Sequence, residues 1–147
     1  MAIGNRQSAI YAAAAVLSLL GLADAIYLTV EHVTGQSVRC TIIAGCSEVL
    51  SSSYAVVAGI PLAMIGAAAY FSVFSLAILA AFGYRVAGTL LTPLVIAMFL
   101  VSLWLIYLQA FVIGAFCQFC LFSAAITLCL LIAVLLVHRL HRSEKSV

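Results

Sequence analysis

The longest apolar stretch of the chain is the strongest constraint on its fold. Residues 88–137 contain no Asp, Glu, Lys or Arg. A helix that spans a bilayer needs about 20 apolar residues, so this stretch is too long for one crossing and must fold back on itself. Gln109 and Gly114 are the likeliest turn residues by type, and they divide the stretch into predicted spans at 88–108 and 116–137.

Two further apolar segments raise the number of predicted transmembrane helices to four. They cover residues 8–29 and 60–82, and Pro61 suits a first helical turn, where its missing N–H costs nothing. The sequence is 67% hydrophobic and 7% charged, more apolar than a soluble domain of this length could bury. We therefore predict an all-α integral membrane protein, a four-helix bundle in a single membrane domain (1–147), with a cysteine-containing loop at 30–59.

The first apolar segment has an alternative interpretation. Arg6, the apolar run after it and the sequence ADA at 23–25 resemble a secretory signal peptide with its cleavage site. The apolar run continues through IYLTV at 26–30, beyond that site, which favours a retained helix.

Positive charges predict the orientation of the four spans. Only Arg39 falls on the side of the cysteine loop. The other basic residues fall on the opposite side: Arg6, Arg85, Arg139, Arg142 and Lys145. Because cytoplasmic loops are enriched in Lys and Arg, both termini are predicted to be cytoplasmic and the cysteine loop extracytoplasmic.

Four of the five cysteines fall on the predicted extracytoplasmic side. Cys40 and Cys46 lie in the loop, and Cys117 and Cys120 lie at the start of the fourth span. Disulfides persist in that environment. Cys129 lies deeper in the fourth span and is expected to be a small buried apolar residue.

The Cys117-x-x-Cys120 pair has the geometry and the electrostatics of a redox site. Positions i and i+3 share a helix face, and a helix N-terminus stabilises a thiolate. A second pair within reach allows disulfide exchange. Two static disulfides or a four-cysteine zinc site are the alternatives, and the oxidising side argues against zinc, so no metal is predicted. Neither alternative accounts for Phe116, Phe119 and Phe122 beside the pair, which indicate a lipid-soluble two-electron acceptor, a quinone.

Three motifs together resemble the vitamin K epoxide reductase family, and its prokaryotic members most. They are C-x5-C-S-E-V-L-S-S-S-Y-A in the loop, G-I-P-L-A-M-I-G-A-A-A-Y at the second span, and F-C-Q-F-C at the last. The resemblance extends from YLTVEH at 27–32 to the fourth helix. The wider cysteine pair precedes the C-x-x-C pair, as in this family and opposite to the DsbB family.

The resemblance implies a membrane thiol:quinone oxidoreductase that supports disulfide bond formation, with a ubiquinone, menaquinone or vitamin K type quinone as substrate. Cys117 and Cys120 would form the active-site pair, with Cys120 meeting the quinone. Cys46 would exchange with Cys117, and Cys40 would form the mixed disulfide with the partner. Because the chain ends at Val147, that partner is expected to be a separate extracytoplasmic thioredoxin-fold, DsbA-like protein. The implied location is a prokaryotic inner membrane.

The resemblance also identifies Ser52 as the family's loop serine, the sixth residue after the second loop cysteine, near the quinone. Residues 47–54 would form a short helix over the pocket. Four further residues complete the predicted quinone-binding set: Phe116, Phe119, Tyr70 and Ser123.

Two titratable residues of the first span are candidates for proton transfer. A carboxylate inside a span marks a functional site by default, and quinone reduction consumes two protons, so Asp24 is a candidate relay. The alternative is that Asp24 reaches water or a polar loop. His32 matches the YLT-x-x-H pattern of the family, with a solvated loop histidine as the alternative.

The sequence departs from the vertebrate enzymes of the family at two positions. The second span has no Asn, and Ala124 stands where those enzymes have a Tyr, four residues after the last active-site cysteine. Quinone recognition must therefore differ. Reduction of vitamin K quinone or epoxide itself stays an alternative function, as does a non-catalytic membrane protein stapled by disulfides.

Overall fold

The computed structural model describes residues 4–146 and confirms the predicted four-helix membrane fold. Within that range, four helices are long and apolar enough to cross a membrane. The helices in chain order are α1 (Asn5–Thr34), α2 (Cys46–Ser51), α3 (Leu62–Ala81), α4 (Arg85–Tyr107) and α5 (Gln118–Lys145). A π-helical turn, Leu108–Ile113, extends α4. The short α2 lies outside the bundle proper.

Small residues between the helices allow the bundle to pack closely. α1 packs against α3 and α5, and α4 packs against α3 and α5. Gly21 of α1 lies against the ring of Tyr70 on α3, so closely that an added Cβ would overlap the ring. Membrane helices associate through such small residues because lipid provides no hydrophobic driving force. The buried core residues include Ala14, Ala15, Tyr70, Val73, Ala77, Leu91, Val95, Ile126, Leu130 and Val134.

The segment between α1 and α3 folds over one end of the bundle, which we call the cysteine end. α1 ends at Gly35, which has a left-handed backbone conformation. After α2 come a 3₁₀ turn, Ser53–Ala55, and two short strands, β1 (Val56–Val57) and β2 (Ile60–Pro61). The strands pair antiparallel. The helix expected near residues 47–54 is therefore present as α2 and the turn after it.

The helical backbone before the reversal between α4 and α5 ends five residues later than the predicted third span. That span was expected to end at 108, but helical backbone continues through the π-helical turn to Ile113. The reversal follows at Gly114, whose φ of 69° lies in the left-handed region that glycine adopts without strain. α5 likewise runs past the apolar stretch, to Lys145.

The expectation that Cys129 is buried in the bundle is wrong. Its thiol is free and its side chain is exposed on the outer surface of α5. Nine residues separate it from Cys120, and at 3.6 residues per turn this is two and a half turns. Cys129 therefore lies on the face of α5 opposite Cys120, where lipid would cover it.

Candidate redox site

The four cysteines of the predicted redox path meet at the cysteine end. Cys40 and Cys46 form a disulfide with Cα atoms 5.9 Å apart, whereas Cys117 and Cys120 are free thiols. All four pack in one apolar cluster, in which Cys46 and Cys117 are almost completely buried. The fold therefore brings the loop pair and the C-x-x-C pair to a single place, although more than 70 positions separate them in the chain.

Gly45 allows the Cys46 turn to approach the segment before Cys117. Its φ of 134° is one that residues with a Cβ rarely adopt. A Cβ added at Gly45 would lie 2.9 Å from the carbonyl oxygen of Phe116 and 3.2 Å from the Cβ of Ala115. The backbone before one cysteine thus touches the backbone before the other, and only glycine fits between them.

Gln118, between the two cysteines of the C-x-x-C pair, ties the loop to the start of α5. The backbone N–H of Ile42 donates to Oε1 of Gln118 at 3.0 Å. Nε2 of Gln118 donates to the hydroxyl of Thr41 at 3.4 Å. These bonds fix the loop next to Cys40 relative to the C-x-x-C pair. Gln118 was not among the predicted site residues, because nothing in the sequence indicates a contact across 76 positions.

A cavity of about 320 Å³ lies beneath α2, between the four long helices. Its lining is mainly apolar and includes Leu28, Val49, Leu50, Ile65, Leu94, Met98, Val101, Leu105 and Ile113. Within residues 4–146, Cys120 is the only cysteine in the lining. The other predicted site residues in the lining are Asp24, His32, Ser52, Tyr70 and Ser123. The cavity therefore joins the deeper thiol of the C-x-x-C pair to most of the predicted quinone-binding and proton-relay residues.

Two predicted quinone-binding residues lie elsewhere. Of the residues described, neither Phe116 nor Phe119 is in the cavity lining. The Phe119 ring instead lies 5.2 Å from that of Tyr27, and Phe116 is exposed. Phe119 precedes Cys120 on α5, so its side chain is rotated about 100° around the helix from that of Cys120.

Three of the hydroxyl groups in the mainly apolar lining belong to predicted quinone-binding residues. The Tyr70 hydroxyl donates to the backbone carbonyl of Ser123 at 3.0 Å and lies 2.7 Å from the Ser123 hydroxyl. The Ser52 hydroxyl donates to the carbonyl of Val49 at 2.6 Å. Because a hydroxyl can rotate, each of these groups is able to change partner when a ligand with a carbonyl oxygen enters.

Asp24 presents a carboxylate to the cavity from the middle of α1. It is 9% exposed, and no hydrogen-bond partner reaches its Oδ2 atom in the described part of the chain. A buried polar atom without a partner is costly, and a catalytic role is one explanation for keeping it there. His32, two turns further along α1, lies in the same lining.

The start of α5 favours a thiolate at Cys117, which lies between the spanning helices α4 and α5. A hydrogen bond from the Cys120 thiol lowers the pKa of Cys117 to about 7 from its ordinary value of 9.0. The backbone N–H groups of Phe119 and Cys120 act in the same direction, whereas burial acts against them. In the dithiol, the start of α5 therefore favours negative charge on Cys117.

Gln109 is a further site residue that was predicted only as a turn. Its side chain is 2% exposed, lines the cavity, and accepts the backbone N–H of Cys117 at Oε1, 3.0 Å away. A glutamine in an apolar sequence indicates either an exit from the membrane or a buried polar contact. The sequence alone does not distinguish them.

A family comparison agrees with this geometry. The model of the vitamin K epoxide reductase family matches residues 12–135, a range that includes both cysteine pairs and every residue of the cavity lining. Family membership and cysteines at disulfide distance fit a membrane thiol oxidoreductase, and the family works with quinones. Since the match covers most of the sequence, the chain belongs to the vitamin K epoxide reductase family.

Proposed function

We propose that the protein is a membrane thiol:quinone oxidoreductase that carries electrons from a reduced thioredoxin-fold, DsbA-like protein to a quinone, and so supports disulfide bond formation. The observation that carries this proposal is the position of Cys120. It belongs to a cluster of two cysteine pairs and at the same time lines an apolar cavity. Ligand pockets of about 300–1,000 Å³ with few polar groups are typical for small apolar ligands, and a quinone ring suits this one.

The proposed path begins at the Cys40–Cys46 disulfide. A thiolate of the reduced partner attacks Cys40, the less buried of the two, and Cys46 leaves as a thiolate. The second thiol of the partner then releases the partner as a disulfide. Two electrons have now moved from the partner to the loop pair.

Transfer to the C-x-x-C pair is a second exchange inside the apolar cluster. Cys46 attacks Cys117 of an oxidised Cys117–Cys120 pair, and Cys120 leaves. Cys40 then attacks Cys46, and Cys117 leaves as a thiolate. A sulfur of low pKa leaves faster, so the lowered pKa of Cys117 supports this step. Its product, a loop disulfide with two free thiols at Cys117 and Cys120, is the state present in the structure.

Oxidation of the Cys117–Cys120 dithiol to a disulfide releases two electrons and two protons, which convert the quinone to a quinol. Cys120 is the sulfur that meets the quinone, because it lines the cavity. Rotation of the hydroxyls of Ser52, Tyr70 or Ser123 would present a donor to a quinone carbonyl. Asp24 would relay one of these protons to the reduced ring, and His32, nearer the end of α1, would exchange protons between the cavity and water.

We propose that the cysteine end faces away from the cytoplasm, so that Cys40 meets its partner in an oxidising compartment. The support is the distribution of basic residues, of which only Arg39 lies at this end. The membrane is then the inner membrane of a prokaryote, in accordance with the motifs of the prokaryotic family members.

Quinone consumption by the reduced protein tests the proposed function. The protein is purified in detergent, reduced with dithiothreitol, freed of reductant and mixed with a ubiquinone or menaquinone analogue. We expect stoichiometric loss of quinone absorbance and loss of two free thiols. A Cys120→Ala variant should consume no quinone, while Cys129→Ala, on the opposite face of α5, should match the wild type. Intact quinone and intact thiols in the wild type would instead support the alternative of structural disulfides.

A Gly45→Ala substitution should slow exchange between the two cysteine pairs about tenfold, because an added methyl group in a packed site costs about 1–3 kcal/mol. The new Cβ forces the Cys46 turn away from Phe116. Gly59→Ala is the matched control: Gly59 also has a positive φ, 81°, but nothing lies within 4 Å of its added Cβ. Rapid acid quenching and thiol alkylation measure the exchange. Equal rates in the two variants would exclude the close approach as the cause.

A further inference from the structure

Gln109 is far more buried than a polar residue that only marks a turn is expected to be. It is almost completely buried, yet it lies in the π-helical turn that extends α4. Burying an amide is unfavourable unless its polar atoms are hydrogen-bonded. π-Helical turns insert an extra residue into a helix and occur frequently at functional sites. Here the turn places an amide between the C-x-x-C pair and the cavity.

The oxygen of the Gln109 amide holds the backbone of the first cysteine. Cys117 is the residue directly before α5, where backbone N–H groups have no acceptor inside the helix. Oε1 of Gln109 accepts the N–H of Cys117 at 3.0 Å in a buried contact. This bond joins the end of the third spanning helix to Cys117, the first cysteine of the C-x-x-C pair, at the start of the fourth.

The nitrogen of the same amide is available to the second cysteine. Because Oε1 accepts from Cys117, Nε2 is the atom of Gln109 that can donate. Cys120 lies three residues after Cys117 in the first turn of α5, so the amide that holds the N–H of Cys117 is placed near the second cysteine. Gln109 and Cys120 both line the cavity. An N–H donor stabilises negative charge on sulfur without adding a charge to an apolar site.

We propose that Gln109 is a positioning residue of the C-x-x-C pair, whose oxygen fixes Cys117 and whose N–H group stabilises negative charge on the sulfur of Cys120. The inference rests on the proposed function. In that path, Cys120 carries negative charge twice: when it leaves the Cys117–Cys120 disulfide, and when it passes electrons to the quinone. The observation that carries the proposal is the position of one buried amide, which is hydrogen-bonded to the backbone of Cys117 and lines the same cavity as Cys120.

Two substitutions separate the two roles of the amide. Gln109→Glu keeps an oxygen for the N–H of Cys117 but, when ionised, has no N–H to donate. Gln109→Met has a similar length and removes both interactions. Gln36→Met is the control, because Gln36 is an exposed glutamine beyond the end of α1. Each is placed in a background in which Cys120 is the only cysteine and the other four are serine.

The first measurement is the rate at which N-ethylmaleimide alkylates Cys120 at a fixed pH near neutral. We expect both Gln109 variants to react about tenfold more slowly than the parent, since a hydrogen bond to a charged group contributes about that factor. The Gln36 variant should react at the parental rate. This measurement uses no quinone, so it tests the role of Gln109 even if the proposed acceptor is wrong.

The second measurement uses the protein with all its cysteines and follows a single turnover of quinone at increasing quinone concentration. We expect the limiting rate to fall about tenfold in both variants, with the half-saturating concentration unchanged. A Glu variant that matches the parent while the Met variant is slow would show that only the bond to Cys117 matters, and would overturn the proposal. A slow Glu variant with a normal Met variant would indicate charge repulsion and would overturn it as well. If the Met variant does not fold, Gln109→Leu takes its place, because leucine also lacks both the oxygen and the N–H group of the amide.

Discussion

A Cys46→Ser variant is expected to separate the two halves of the reaction. Once reduced by dithiothreitol, its Cys117–Cys120 pair should consume quinone in a single turnover at the wild-type rate. Steady-state turnover with a reduced thioredoxin-fold substrate should fall by about 1,000-fold or more, as is usual when a member of a catalytic chain is removed. Turnover with the protein substrate needs Cys46 because Cys46 is buried with Cys117 in one cluster. The reaction with quinone does not need it, because Cys120, and not Cys46, lines the cavity.

Both rates can be followed by quinone absorbance, with a DsbA-like protein as the thiol substrate in the second assay. Cys129→Ser provides the control, since Cys129 lies on the outer surface of α5, and it should leave both rates unchanged. Undiminished turnover with the protein substrate in the Cys46 variant would mean that the partner reduces the Cys117–Cys120 pair directly. The loop pair would then be structural.

An Asp24→Asn variant is expected to slow the single turnover of quinone by about 100-fold, the lower end of the range for lost acid–base catalysis. Asparagine has nearly the same shape as aspartate but cannot transfer a proton. Asp24 lines the cavity, and in the described chain its Oδ2 atom has no hydrogen-bond partner that would assign it a structural role. Stopped-flow measurement of quinone loss by pre-reduced protein provides the rate.

Glu48→Gln is the matched control, because Glu48 is an exposed carboxylate on α2 at the same end of the bundle. Its variant should retain the wild-type rate. An Asp24→Glu variant should recover part of the activity, since it restores a titratable group. If Asp24→Asn consumed quinone at the normal rate, protons would reach the ring from water or from another residue, and Asp24 would have no part in catalysis.

Hydropathy predicted the number of membrane helices but not where they end. A span is recognised by its apolar length, and a helix continues as long as its backbone hydrogen bonds do. α5 therefore runs beyond Val137 to Lys145, through a basic tail that hydropathy excludes. At Gln109 the polar side chain indicated an exit from the membrane, yet the helical backbone continues to Ile113, because the amide finds its partner inside the protein.

The residues of the candidate site could be predicted from residue type. The helix face on which each side chain lies could not. Cys120, Asp24 and Tyr70 were identified from residue type, spacing and the family resemblance, and the structure brings them together in the lining of one cavity. Phe119 was chosen for its closeness in sequence to Cys120, and on a helix the next residue points about 100° away. Its ring packs on Tyr27 instead of lining the cavity.

Two of the contacts that sequence reasoning missed join segments distant in the chain. Gln118 reaches the loop across 76 positions, and Gly45 touches Phe116 through its backbone. Such contacts depend on how whole helices are placed relative to one another. A local sequence pattern does not predict this placement. A glycine in a loop has too many ordinary explanations for its role as a close-contact point to be recognised beforehand.

The short span of the loop disulfide has a consequence for biogenesis. Cys40 and Cys46 are six positions apart, so their bond requires only a local turn and no completed bundle. Domains form from the N-terminus during synthesis, and α5 leaves the ribosome after α1 and the loop. With an oxidised thioredoxin-fold protein as the oxidant, the loop pair is thus able to form its disulfide while Cys117 and Cys120 are still untranslated. A newly made molecule would then begin its first reaction with the loop disulfide already formed. The first two electrons that it gives to a quinone would come from Cys117 and Cys120, which are synthesised after the loop pair.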